Sequence, residues 1–213
     1  MNKKKVCIIN YGAGNIQSIL NIAQRLDHEF FLSDKPDVIL NSDFLILPGV
    51  GNFASSMQML REKKLADTII QRYKNNMPIL GICLGMHLLF EYSEEAGNIK
   101  GLSIIKGNIK KIENNIKLQR YVPHIGSHRV SNFYLTNDKK NIKNTFKNIK
   151  YYFLHSYYLS SFEPDICKLY VDYKRIKIPA IVQKGSITGI QFHPEVSGLD
   201  GLDFYKNYFK LYS

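Results

Sequence analysis

Cys83 lies in the run Pro78-Ile79-Leu80-Gly81-Ile82-Cys83-Leu84-Gly85-Met86-His87, where an apolar stretch turns through a Gly-x-Cys-x-Gly corner. The spacing predicts a strand over 78–82, a sharp bend at the cysteine and a helix over 86–92. That is the layout of a nucleophile elbow, with a thiol in place of a hydroxyl. The two glycines permit a tight turn and close approach of neighbouring backbone. A sulfur at a helix N-terminus gains thiolate character from the partial positive charge there. A free thiol is mostly protonated at neutral pH, so a nucleophilic cysteine needs a base, and the base needs an acceptor to orient it. His193 and Glu195, in Gln191-Phe192-His193-Pro194-Glu195, are of the right types for those two roles. In extended chain, residues i and i+2 point the same way, and Pro194 keeps His193 out of a helix. Acyl transfer also needs donors aimed at a developing oxyanion. The backbone N–H of Leu84, directly after the cysteine, is one candidate. That of Val50, in Pro48-Gly49-Val50-Gly51, is the other.

Taken singly, these signals are ordinary. A lone cysteine is usually inert core, and Cys7 and Cys167 are read that way. A lone His-Pro-Glu is usually a turn, and Gly12-Ala13-Gly14 lacks the third glycine of a dinucleotide fingerprint. Their weight comes from occurring together, each directly after a candidate strand.

The elements that must position them follow from periodicity. Short apolar runs at 5–10, 30–33, 44–47 and 78–82 read as buried strands. Helical spacing occupies 16–26, 54–62 and 65–75. Alternation of this kind means α/β, with a mostly parallel central sheet flanked by helices. After Gly97 the texture changes to strand material at 104–112, 151–159, 169–173, 180–184 and 188–192. These supply additional antiparallel strands in the C-terminal half, the last of them delivering His193. A closing helix is expected over 202–212, and 137–150 is expected to be a mobile polar surface segment.

With 213 residues and 45% hydrophobic content, the chain fits one globular domain. No apolar stretch approaches the roughly 18 residues of a membrane span. The opening Met-Asn-Lys-Lys-Lys precedes too short an apolar run for a secretory signal. Three widely spaced cysteines argue against a disulfide framework or a zinc site and for a reducing cytoplasm. The net charge of +11 raises the question of a nucleic-acid partner. The lysines, however, are scattered among Asn and Ile at 106–117 and 139–150, without the face or interleaved aromatics of an RNA reader. A solvated basic surface, or an acidic protein partner steered by charge, is the reading that fits.

Taken as a set, Gly81-Ile82-Cys83-Leu84-Gly85-Met86, the Pro48 to Gly51 loop and the Gln191 to Glu195 segment resemble the class I, triad-type glutamine amidotransferases. Within them the chain is most similar to the glutaminase subunits of imidazole glycerol phosphate synthases. Asn10-Tyr11-Gly12-Ala13-Gly14-Asn15, Leu47-Pro48-Gly49-Val50-Gly51-Asn52-Phe53, Val122-Pro123-His124-Ile125-Gly126 and Phe153-Leu154-His155-Ser156-Tyr157-Tyr158 carry that likeness along essentially the whole chain. The resemblance implies a single type-1 glutamine amidotransferase domain over 1–213, with no cofactor and no metal. It implies that Cys83 attacks the side-chain amide of glutamine to give a thioester. His193 then protonates the departing ammonia and activates water, and Glu195 orients His193. It places Gly51, His87, Ser156 and Tyr157 at bound glutamine. It also implies a heterodimer with a (β/α)₈ synthase of HisF type. There the ammonia would convert a phosphoribulosyl formimino intermediate to imidazole glycerol phosphate and AICAR in histidine biosynthesis. Asn15, Ser127, His128 and Val196 would face that partner.

The chain departs from the family pattern at four positions. Tryptophan and asparagine usually follow the Val122 to Gly126 run, where Ser127 and His128 stand. Glutamine is usual at position 87, and lysine is usual at Val196. A lost indole removes a large amphipathic anchor, and the lost lysine removes a possible intersubunit ion pair. Two destinations for the ammonia therefore stay open: the histidine pathway, or amidination of a surface-polysaccharide or flagellin sugar by a paralogous pair. A non-catalytic binding subunit is opposed by the intact Cys83, His193 and Glu195. A pyridoxal-phosphate-synthase type glutaminase is opposed by the Asn10 to Asn15 and His155 to Tyr158 signatures. A free-standing cysteine hydrolase is a further reading that the residues permit.

Overall fold

The computed structural model describes residues 3–95, 97–118, 120–131 and 145–212. Its first half alternates strands and helices: β1 (Lys5–Ile9), α1 (Ile16–Ala23), β2 (Glu29–Ser33), α2 (Pro36–Leu40), β3 (Phe44–Leu47), α3 (Phe53–Glu62), α4 (Leu65–Lys74), β4 (Ile79–Ile82) and α5 (Leu84–His87). The second half is mainly strand: β5 (Tyr92–Ser93), β6 (Ile99–Lys100), β7 (Gly107–Lys111), β8 (His124–Ser131), β9 (Lys150–His155), β10 (Tyr157–Phe162), β11 (Cys167–Tyr173), β12 (Ile176–Lys184) and β13 (Ile187–Ile190), closed by α6 (Gly198–Leu211).

Nine strands form one mixed sheet in the order β2-β1-β3-β4-β13-β12-β11-β8-β9. It is parallel from β2 to β13 and antiparallel from β13 to β9. A smaller sheet runs β10-β7-β5-β6. Period-two alternation divides the core. Val6, Ile8, Phe44, Ile46, Leu80 and Ile82 face one way, against Ile19 of α1 and Leu202, Phe204 and Tyr208 of α6. Cys7, Ile9, Leu45, Leu47 and Ile79 face the other, against Phe53, Met57 and Leu60 of α3 and Leu65 and Ile69 of α4. Strands buried on both faces read as continuous apolar runs, which is why 44–47 and 78–82 are so uniformly hydrophobic.

The structure corrects several expected elements. The helix after the elbow is only Leu84–His87, and Tyr92 is already in a strand. Leu88, Leu89 and Phe90 are fully buried. Their carbonyls accept the N–H groups of Leu102, Ser103, Ile104 and Ile105, so this apolar run packs as a turn inside the core, not as a helix face. The expected strand over 151–159 breaks at Ser156 into β9 and β10, which enter different sheets. Helix α1 stops at Ala23, and α6 begins at Gly198, earlier than expected. The short α2, led by Pro36 in its first turn, had no expected counterpart. Of the expected mobile segment, 137–144 lies outside the described residues. Phe146 is buried in the core and Lys150 opens β9.

Candidate active site

Three neighbouring parallel strands end at one place. Leu47 of β3 pairs with Gly81 of β4, and Ile82 of β4 pairs with Ile190 of β13. The Pro48 to Gly51 loop, Cys83 and His193 therefore emerge together outside the carboxyl ends of the sheet, where open α/β folds place ligands. Cys83 takes φ 50° and ψ −108°, a left-handed backbone that non-glycine residues seldom adopt. Its N–H donates to the Ile190 carbonyl at 2.7 Å, and its carbonyl accepts the His87 N–H at 3.1 Å. The glycines around it permit direct backbone contact. A Cβ on Gly85 would stand 1.9 Å from the Leu47 oxygen, and one on Gly49 would stand 2.0 Å from the Gly85 nitrogen.

His193 Nδ1 lies 2.7 Å from Glu195 Oε1, with both side chains almost wholly buried. Its own N–H donates to the Tyr152 carbonyl, and the Ser197 hydroxyl donates to the His193 carbonyl while accepting from the Tyr152 N–H. The turn carrying the imidazole is thus clamped to β9. Burial alone would depress the ring. The neighbouring Cys83 sulfur and the Glu195 carboxylate outweigh it and carry the pKa up to about 10. Nδ1 donates to the carboxylate, and Nε2 finds no hydrogen-bond partner among the described residues. That leaves Nε2 as the nitrogen turned to Cys83, where the raised ring holds a proton.

Cys83, His193, Val50, Gly51, Leu84, His87, Ser156 and Tyr157 all line one cavity of ≈ 320 Å³, at the small end of ligand pockets. His87 also has a protein partner: its Nε2 lies 2.8 Å from Gln191 Oε1. Desolvation pushes the buried ring down to about 4.

Two features of the cavity have no role assigned by the sequence motifs. Glu95 is the carboxylate of its lining, held by the Asn52 side-chain amide at 2.8 Å and raised in pKa by burial. A lone glutamate in a polar loop carries no signal. The second is a buried histidine pair. His155 Nδ1 faces the Tyr157 carbonyl at 2.8 Å and so must donate to it. His155 Nε2 then accepts from His124 Nδ1 at 2.9 Å. Burial pushes His124 down to about 3 and His155 well below its ordinary value. This neutral pair ties β8 to the Ser156 break.

The four residues expected at a partner are dispersed in exposure. Ser127 is exposed and Val196 is 46% exposed. His128 is half-buried. Asn15 is half-buried as well and caps α1 through its side-chain oxygen. At the cavity Val50 and Leu154 are also exposed, with exposed Ile125 facing Leu154 across β8 and β9.

A cysteine elbow, a histidine–carboxylate pair and a glycine-rich loop at the carboxyl edge of a mixed sheet form the constellation that an α/β enzyme with a cysteine nucleophile requires. The class I glutamine amidotransferase family description matches residues 7–210, and the chain belongs to that family. It is 40% identical over 203 residues to the imidazole glycerol phosphate synthase subunit HisH of Oceanobacillus iheyensis, covering 95% of this chain and 97% of the relative. To HisH of Bacillus subtilis it is 36% identical over 208 residues, covering 96% and 95%. Among solved structures, PurLQS from Thermotoga maritima superposes with a TM-score of 0.71 over the full length of both chains, at 18% identity. A crystal structure described as a glutamine amidotransferase gives 0.74 at 14% identity, over 97% and 98%. At such identities the two structures speak for the fold alone.

Proposed function

We propose that the chain is the glutaminase subunit of an imidazole glycerol phosphate synthase, and that Cys83, His193 and Glu195 perform the hydrolysis. The observation that carries this reading is the His193–Glu195 pair at 2.7 Å, with the ring interacting on its other side with the Cys83 sulfur. His193 Nε2 already holds the proton drawn from the Cys83 thiol when Sγ attacks the side-chain carbonyl carbon of glutamine. The backbone N–H groups of Leu84 and Val50 receive the oxyanion. The carbon–nitrogen bond breaks, and the departing ammonia takes the proton from His193. Water then attacks the thioester and gives its proton to Nε2. Glutamate leaves, and Sγ and His193 return to their starting state, with the proton on Nε2. Glu195 holds the ring in the tautomer that this needs. Gly51, His87, Ser156 and Tyr157 surround the substrate, and Glu95 is placed to receive its α-ammonium group.

The ammonia passes to a HisF-type (β/α)₈ synthase seated over the cavity mouth, on the face that includes Ser127, His128, Val196 and the Asn15 end of α1. The exposed apolar residues of the rim support that placement. The whole of 1–213 acts as one domain. We place the chain in the cytoplasm; its three cysteines are free, and among the described residues no helix is long and apolar enough to cross a membrane. The HisH names of the relatives favour histidine biosynthesis over sugar amidination. The test is complementation of a histidine auxotroph lacking this subunit, with and without the native barrel. Growth is expected when the native barrel is supplied. No growth despite soluble expression of both chains would move the ammonia to another acceptor.

A further inference from the structure

The Cys83 sulfur has a second polar neighbour that the triad does not use. Gln191 is fully buried, and its side-chain nitrogen lies 3.7 Å from Cys83 Sγ. Its oxygen lies 2.8 Å from His87 Nε2. An amide oxygen can only accept, so His87 Nε2 must donate to it. The ring is neutral, with one proton to place, and this contact places it. With the oxygen so engaged, the amide cannot rotate, and its N–H points at the sulfur. On another side of Sγ stands the Leu154 carbonyl, at 3.8 Å. A thiol can donate to that oxygen. A thiolate cannot, and faces its negative end instead. Ionisation of Cys83 therefore exchanges a weak favourable contact for an unfavourable one, and the Gln191 N–H is the neutral donor that offsets this.

We infer that Gln191 is a thiolate-stabilising residue of the site and that His87 is its positioning residue, through the relay His87 Nε2–H to Gln191 Oε1 and Gln191 Nε2–H to Cys83 Sγ. The inference rests on the reading of Cys83 as the nucleophile. It also gives His87, which stands where the family usually has glutamine, a function of its own: either side chain can donate one N–H to the Gln191 oxygen. The other titratable groups around the sulfur are His193 and Glu195 after β13, His155 on β9, Tyr11 after β1 and Glu95 across the cavity. None of them is altered in the variants below. A purely structural Gln191, filling a buried polar position, would affect stability and leave the titration of the thiol alone.

The experiment is the pH dependence of Cys83 alkylation by iodoacetamide in the full chain, read on the peptide that carries Cys83. Gln191→Met keeps the length of the side chain and removes the donor. It is expected to raise the apparent pKa of alkylation by about one unit, which below that pKa is about a tenfold loss of rate at fixed pH. His87→Leu, which frees the amide to rotate, is expected to shift the profile in the same direction, and His87→Gln to bring it back towards that of the parent chain. In the complex with the synthase, Gln191→Met should lower kcat for glutamine more than it raises KM. Folded Gln191→Met and His87→Leu chains that titrate like the parent would overturn the inference. Should Gln191→Met not fold, the His87→Leu and His87→Gln pair decides the matter alone. Cys83→Ala is the separate control. If it still hydrolyses glutamine, the nucleophile reading falls and this inference with it. If it is inactive while the alkylation profiles do not move, only the role of Gln191 and His87 falls.

Discussion

His193 gathers the electrostatics of the site into one ring. Its pKa is carried up to about 10 by Cys83 and Glu195 against the penalty of burial. A histidine raised in the fold contributes stability that is fully present below its unfolded value near 6.5 and is lost as pH rises through about 10. Glu195→Gln removes the carboxylate and leaves the ring in place. The parent chain should exceed this variant in stability by most at pH 6 and by progressively less as pH approaches about 10, measured by chemical denaturation. The variant's kcat for glutamine should fall by about 10² or more, since the ring loses both its tautomer and its counter-charge. A stability gap that stays constant with pH would contradict the assignment of Glu195 as the partner of His193.

At the scale of elements, the elbow works because two loops share backbone contact. Gly85 lies on the Leu47 carbonyl and Gly49 on the Gly85 nitrogen. Neither gap admits a methyl group, so the end of β3 and the turn after β4 must separate if either glycine acquires one. Gly85→Ala is expected to destabilise the chain by about 3 kcal/mol or more and to abolish glutamine hydrolysis, as thermal melting and ammonia release would show. A folded, active Gly85→Ala chain would mean that the two loops are not held as described. The strands behind these loops were legible because each is a short apolar run bounded by breakers and buried on both faces. The elbow and the His193-Pro194-Glu195 segment were legible because glycine and proline fix backbone geometry locally. The turn at Leu88 to Phe90 was not, since an apolar run that buries every side chain looks the same whether it is helix or folded loop. Nor was the break at Ser156. There the His155 ring holds the Tyr157 carbonyl, and the partner of that ring, His124, lies 31 residues away. Glu95 and the relay through Gln191 were hidden for the same reason: their meaning comes from contacts distant in sequence.

For the molecule as a whole, the sheet changes character where the chemistry sits. Its parallel half brings Pro48 to Gly51, Cys83 and His193 to a common edge. Its antiparallel half adds Leu154 and the Ser156 to Tyr157 break along the side of the cavity. Exposed Val50, Ile125, Leu154 and Val196 lie at or near its mouth, so a partner seated there would close over the place where ammonia is released. The net charge of +11 would steer such a partner if its facing surface is acidic. On the proposed function, ammonia freed at Cys83 enters the product of a HisF-type synthase. The most direct test is a reconstituted complex supplied with glutamine carrying heavy nitrogen in the side-chain amide, followed by mass spectrometry of the imidazole glycerol phosphate. Heavy nitrogen should enter the imidazole ring with the parent chain. None should enter with Cys83→Ala, and that complex is expected to make unlabelled product only when free ammonium is added. Transfer of label by the Cys83→Ala complex, or unlabelled product from the parent complex given only labelled glutamine, would contradict the account.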